Sequence, residues 1–124
     1  MFEIFTLLIL FQLKHFLADY PLQTQYMLGK MNRTGWVLPL AAHAGVNAFF
    51  TFLIVLIVKP DNYWLYLLVL VDFIIHFTID RIKASPNLGG RYKPTQPQFW
   101  WCLGADQTAH HLTHYVFIYI LVTF

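Results

Sequence analysis

DQTAHHLTH, residues 106–114, places one carboxylate and three imidazoles inside an otherwise apolar segment, with Phe99, Trp100 and Trp101 before it and VFIYILVTF after it. Asp106, His110 and His114 recur at intervals of four, which on a helix makes a slowly drifting ladder along one face. His111 stands on the shoulder of that stripe. Ionisable groups in apolar surroundings are costly unless they pair or coordinate. The stretch therefore predicts a helix whose polar stripe faces other helices, and the rest of the chain has to supply the partners.

Working outward, the same spacing recurs in three more apolar segments: HFLAD (His15, Asp19), HAGVN (His43, Asn47) and DFIIHFTID (Asp72, His76, Asp80). All six histidines and five of the six acids fall within four hydrophobic runs, at residues 2–20, 36–58, 63–83 and 99–124, and all of these acids but Glu3 belong to the polar motifs. At ~1.5 Å per residue, runs of this length just cross a hydrocarbon layer of ~30 Å. Between them lie a polar connection with Lys30 and Arg33, the turn Lys59-Pro60-Asp61-Asn62, and a stretch at 84–98 rich in proline and glycine that also holds Arg91 and Lys93. No alternation of period two supports a barrel, so the expected architecture is all-α: one domain, 1–124, forming an antiparallel four-helix transmembrane bundle.

Composition agrees with that expectation, since 58% of residues are hydrophobic and only 11% charged. Trp36, Trp64, Trp100 and Trp101 stand near the ends of apolar runs, where amphipathic rings favour the headgroup zone. A formal charge of +2 is too small to suggest nucleic acid, and the single cysteine, Cys102, excludes an internal disulfide or a CxxC motif. The first run begins with Glu3 instead of a basic region and lacks a small-residue cleavage site, so it is expected to be retained as a helix. Lys30, Arg33, Arg81, Lys83, Arg91 and Lys93 gather on one side, which by the positive-inside rule is the cytoplasm. The expectation is a multi-pass protein of the inner, cytoplasmic membrane with both termini outside. Lys14, inside the first run, is expected to snorkel toward the cytoplasmic surface.

In an up-down bundle the four polar motifs fall at the same, cytoplasmic end. Counting ~1.5 Å per residue puts Asp19 and Asp80 at the mouth and His15, His43, His76 and Asp106 deeper, with Asn47, Asp72 and His110 about a turn below and His114 lower still. Facing helices of a bundle build metal sites from such groups, and mixed nitrogen and oxygen donors suit zinc first, then iron or manganese. His15, His43, His76, Asp106 and His110 are the candidate ligands. Asn47, Asp72, His111 and His114 are candidates for supporting them, and Asp19 and Asp80 for general bases acting on a metal-bound water. Arg81, Arg91 and Lys93 are candidates for holding an anionic substrate such as a lipid phosphate, with a pure topology signal as the competing reading.

The expected function is metal-dependent hydrolysis of a membrane-associated or phosphorylated small substrate. A metal-ion or proton-coupled transporter is the first alternative, although the outer halves of all four runs are almost purely apolar. A nonenzymatic membrane assembly protein is another, with Gln12, Asn47, Thr51 or His114 acting only as hydrogen bonds between helices, and so small a bundle could pack against itself. HHLTH is also similar to the histidine boxes of membrane desaturases and hydroxylases, which use more histidines than this chain has.

Taken together, QLKHFLADYPLQTQYM, AAHAGVN, HFTIDRIK and DQTAHHLTHY resemble the family of small bacterial and bacteriophage membrane proteins catalogued as domain of unknown function 3307. The resemblance covers nearly the whole chain. It implies a helical membrane protein carrying these His and Asp positions, without an activity. The arrangement is also loosely similar to a membrane-protein group described as metal-dependent hydrolases.

Overall fold

Chain punctuation sets the helix boundaries. The computed structural model describes residues 2–86 and 89–124, and contains helices α1 (Phe2–Asp19), α2 (Val37–Val58), α3 (Leu67–Ala84) and α4 (Pro97–Thr123), with no strand among the described residues. Met1 and positions 87 and 88 of the last connection lie outside them. Pro21 follows the end of α1, and Lys59-Pro60 follows α2, because a residue before proline is pushed out of the helical region. Pro97 opens α4 at a first-turn position where its missing N–H costs nothing. Gly35, at φ +67°, supplies the left-handed turn that precedes α2.

Two boundaries differ from the sequence expectation. The third run is a 3₁₀ turn at Tyr63–Tyr66 followed by α3, and α4 begins two residues earlier than residue 99. The polar connections also hold short 3₁₀ turns, at Met27–Met31 and Gly89–Arg91. The latter lies against the end of α3: a Cβ on Gly90 would meet the Ala84 carbonyl oxygen at 2.3 Å, so only glycine permits the approach.

Each helix packs on its neighbours in chain order and α4 closes against α1, giving an up-down bundle. Its interior divides in two. One end is apolar, built from Leu7, Phe11, Ile54, Val55, Leu65, Leu68, Phe117, Ile118 and Leu121. The other end buries charge: Lys14, His15, Lys30, His43, Asp72, His76, Asp80, Asp106, His110 and His114 are all buried. Large apolar side chains instead cover the outside, among them Leu38 at 72% exposure, Ile57 at 70% and Tyr119 at 68%. Among the described residues one helix, α2, has both the length and the apolar composition to cross a membrane; the other three carry acids within or beside their apolar stretches, and α1 and α3 carry lysine or arginine there as well.

Candidate functional site

The four-residue spacing works because side chains at i and i+4 stack along one helix face, so α1, α3 and α4 each deliver a carboxylate and an imidazole already in contact. On α1, His15 Nδ1 lies 2.8 Å from Asp19, and on α4, His110 Nε2 lies 3.0 Å from Asp106. Neighbouring helices join these pairs. His43 Nε2 of α2 bridges Asp80 at 3.0 Å and Asp19 at 3.3 Å, while His110 Nε2 also reaches Asp80 at 3.2 Å. Asp80 thus links α3 to both α2 and α4. Around these groups is a cavity of about 40 Å³, rimmed by Gln23, Lys30, Lys83 and Gln107, large enough for an ion or a water or two.

The rim lysines complete the electrostatics. Lys83 donates to Asp106 at 3.0 Å, and Lys30 lies 3.7 Å from Asp80 while donating to Gln23 at 2.8 Å. Burial of Lys30 in the connection before α2 holds its ammonium below the ordinary lysine range, against the pull of the nearby Asp80 carboxylate. Three carboxylates, Asp19, Asp80 and Asp106, therefore face two lysines, and imidazole N–H groups bridge the surplus.

Asp80, Asp106 and His110 each offer one ligand atom, and the three atoms lie within 4.8 Å of one another. In a tetrahedral site with bonds of ~2.1 Å the ligand atoms stand about 3.4 Å apart, close to the 3.0 and 3.2 Å at which His110 Nε2 already stands from Asp106 and Asp80. His43 and His110 each keep a buried Nδ1 with no hydrogen-bond partner among the described residues, and a cation replacing the N–H bridges would release protons as it bound. His15 is differently committed. Its Nδ1 faces Asp19 and its Nε2 lies 2.7 Å from Gln107 Oε1, an amide oriented by its own donation to Asp106 at 3.1 Å. Both ring nitrogens of His15 thus face oxygen acceptors.

A second cluster lies deeper. Asp72 is held by Lys14 Nζ at 2.9 Å, His76 Nδ1 at 2.8 Å and the Thr51 hydroxyl at 2.5 Å, and Lys14 also donates to His114 Nε2 at 2.8 Å. Asp72, His76 and His114 again offer ligand atoms within 4.8 Å of one another. The His76 ring stacks on that of His110, with centroids 4.2 Å apart, and joins the two levels.

The placement departs from the depth count at several residues. His110 sits with Asp80 at the mouth, and His76 sits with Asp72 below it. The cause is α4: Lys83, in the last turn of α3, already pairs with Asp106, so the first two turns of α4 extend past the end of α3. Lys14 does not snorkel; it is 2% exposed, because Asp72 and His114 offer its ammonium better partners than the distant surface. Asn47 donates to the His43 carbonyl. His111 lies outside both clusters, half-buried, with its ring 5.0 Å from that of His15.

Nor do the expected anion-binding residues converge on the cavity. Arg81 lies 4.0 Å over the Trp36 ring and donates to the Lys30 and Asn32 carbonyls, bracing the first connection. Arg91 is exposed and bonded to its neighbour Tyr92, and Lys93 is exposed. Lys30, Lys83, Gln23 and Gln107 stand at the rim instead. Lys30 and Lys83 carry a sequence signal only as members of the basic set on the cytoplasmic side, and Lys30 reads as a loop cation until Met27–Met31 turns it inward.

The family model for proteins of unknown function DUF3307 matches residues 7–124, nearly the whole chain, and the protein belongs to that family. No curated protein and no solved structure matches it.

Proposed function

We propose that this DUF3307 member is a four-span integral membrane protein whose cavity at the cytoplasmic end holds a divalent transition metal, zinc by preference, and hydrolyses a phosphorylated small or lipid-linked substrate. The membrane placement is supported by the inverted distribution of side chains: charge inside and large apolar residues outside on all four helices, an arrangement that favours lipid over water. The basic connections 21–35 and 84–98 orient the cavity toward the cytoplasm and both termini outward.

The observation that carries the hydrolase reading is the juxtaposition of Asp80, Asp106 and His110 with a small cavity and two rim lysines. In this reading those three hold the metal with His43 beside them. A metal held there would supply activation of water for attack, with Asp19 placed to take up the proton and Lys30 and Lys83 placed to hold the anionic group. His15 and Gln107 orient Asp19 and Asp106. Transport across one copy is disfavoured by the apolar half of the bundle, in which Leu7, Val55, Leu65 and Leu121 are fully buried beyond the polar clusters.

The test is phosphate release by the protein reconstituted in liposomes, assayed against free and lipid-linked phosphomonoesters. Release that needs zinc, iron or manganese and disappears in Asp80→Ala supports the reading. A metal-loaded, folded protein that releases no phosphate from either class sinks it.

A further inference from the structure

The deeper cluster has the donor set of a metal site, and a cation already stands in it. Asp72, His76 and His114 come from α3 and α4, are buried, and present ligand atoms within 4.8 Å of one another. The Lys14 ammonium, reaching in from α1, touches two of the three: Asp72 at 2.9 Å and His114 at 2.8 Å. Two further features mark the cluster as a ligand set and not a simple ion pair. His76 is fully buried and turns its Nδ1 to Asp72, yet its Nε2 has no hydrogen-bond partner among the described residues, a cost that packing alone does not explain. The Thr51 hydroxyl donates to Asp72 and fixes the carboxylate as outer partners of metal ligands do.

We propose that Lys14 is a tethered cation filling a latent metal site formed by Asp72, His76 and His114, so that the native protein keeps metal out of this lower site and loss of the ammonium opens it. Electrostatics favours the exchange. One buried carboxylate is neutralised by one ammonium; without it, that carboxylate and two imidazoles remain around the vacated volume, and a divalent cation is the species that satisfies all three together. A histidine with both faces engaged by protein oxygen, as His15 is by Asp19 and Gln107, offers no such opportunity. This inference needs the fold but not the hydrolase reading.

The experiment compares zinc content of the detergent-purified wild type with Lys14→Met, which keeps the length of the stem and removes the charge, and with Lys14→Met/His114→Ala. Cobalt substitution adds a spectroscopic signature, the visible absorption of a low-coordinate site. Lys14→Met should bind one equivalent more than the wild type, or fold only when metal is supplied, and the double variant should lose that added equivalent. A wild type without metal alongside Lys14→Met with one equivalent removes the upper-site proposal and leaves this one standing. Lys14→Met with no metal above the wild type, Lys14→Met that does not fold with or without metal, or an added equivalent retained in the double variant overturns it.

Discussion

The upper and lower clusters are made from the same parts, Asp and His at four-residue spacing on facing helices, yet they reach opposite electrostatic states. Below, Asp72 meets Lys14 at 2.9 Å and the account is balanced within the protein. Above, Asp19, Asp80 and Asp106 outnumber Lys30 and Lys83 around a small cavity. The difference is that one cluster receives a lysine at its centre from the middle of a helix, while the other has lysines only at its rim, Lys30 from the first connection and Lys83 from the last turn of α3. A ligand-like set of residues thus becomes a structural lock or an open site according to whether a cation of the chain's own reaches its centre.

Substitutions that disturb this contrast should have graded effects. Asp80→Ala is expected to be the most severe functionally, because Asp80 meets His43 and His110 from two other helices; metal content and any hydrolysis should both disappear, as seen by elemental analysis and phosphate release. Asp72→Asn should act on stability instead. It leaves the Lys14 ammonium buried with a weakened partner, and breaking a buried pair in this way costs about 3–5 kcal/mol, read as a lowered Tm in detergent with metal retained in the upper cavity. Gly90→Ala should cost about 1–3 kcal/mol, since its Cβ collides with backbone at the end of α3. Lys93→Ala should change stability by no more than about 0.5 kcal/mol and leave metal content unaltered, because the side chain is exposed and away from the cavity; a large loss of activity there would restore it as an anion-binding residue.

Much of the bundle was legible in the spacing of its polar residues. DQTAHHLTH announced a helix with an inward polar stripe, and HFLAD, HAGVN and DFIIHFTID supplied the matching faces, because i, i+4 geometry is local. Depth was not legible, since it depends on where each helix ends relative to its neighbours: α4 extends past α3, so His110 meets Asp80 while His76 meets Asp72. Lys14 was misplaced for a related reason. Snorkelling is the default for a lysine without a buried anion, and only the reach of Lys14 across the bundle to Asp72 of α3 and His114 of α4 reveals one. Arg81 had the right location but the wrong direction, turned by Trp36 and two backbone carbonyls toward the first connection.

The central claim is that the upper cluster is a metal centre and the lower one is closed by Lys14. Elemental analysis of the wild-type protein, purified in detergent without chelators beside Asp80→Ala, tests it most directly. The account predicts about one equivalent of zinc, iron or manganese per wild-type chain and none in the variant. A well-folded wild-type protein with no stoichiometric transition metal, or an Asp80→Ala variant that keeps its metal, would contradict it.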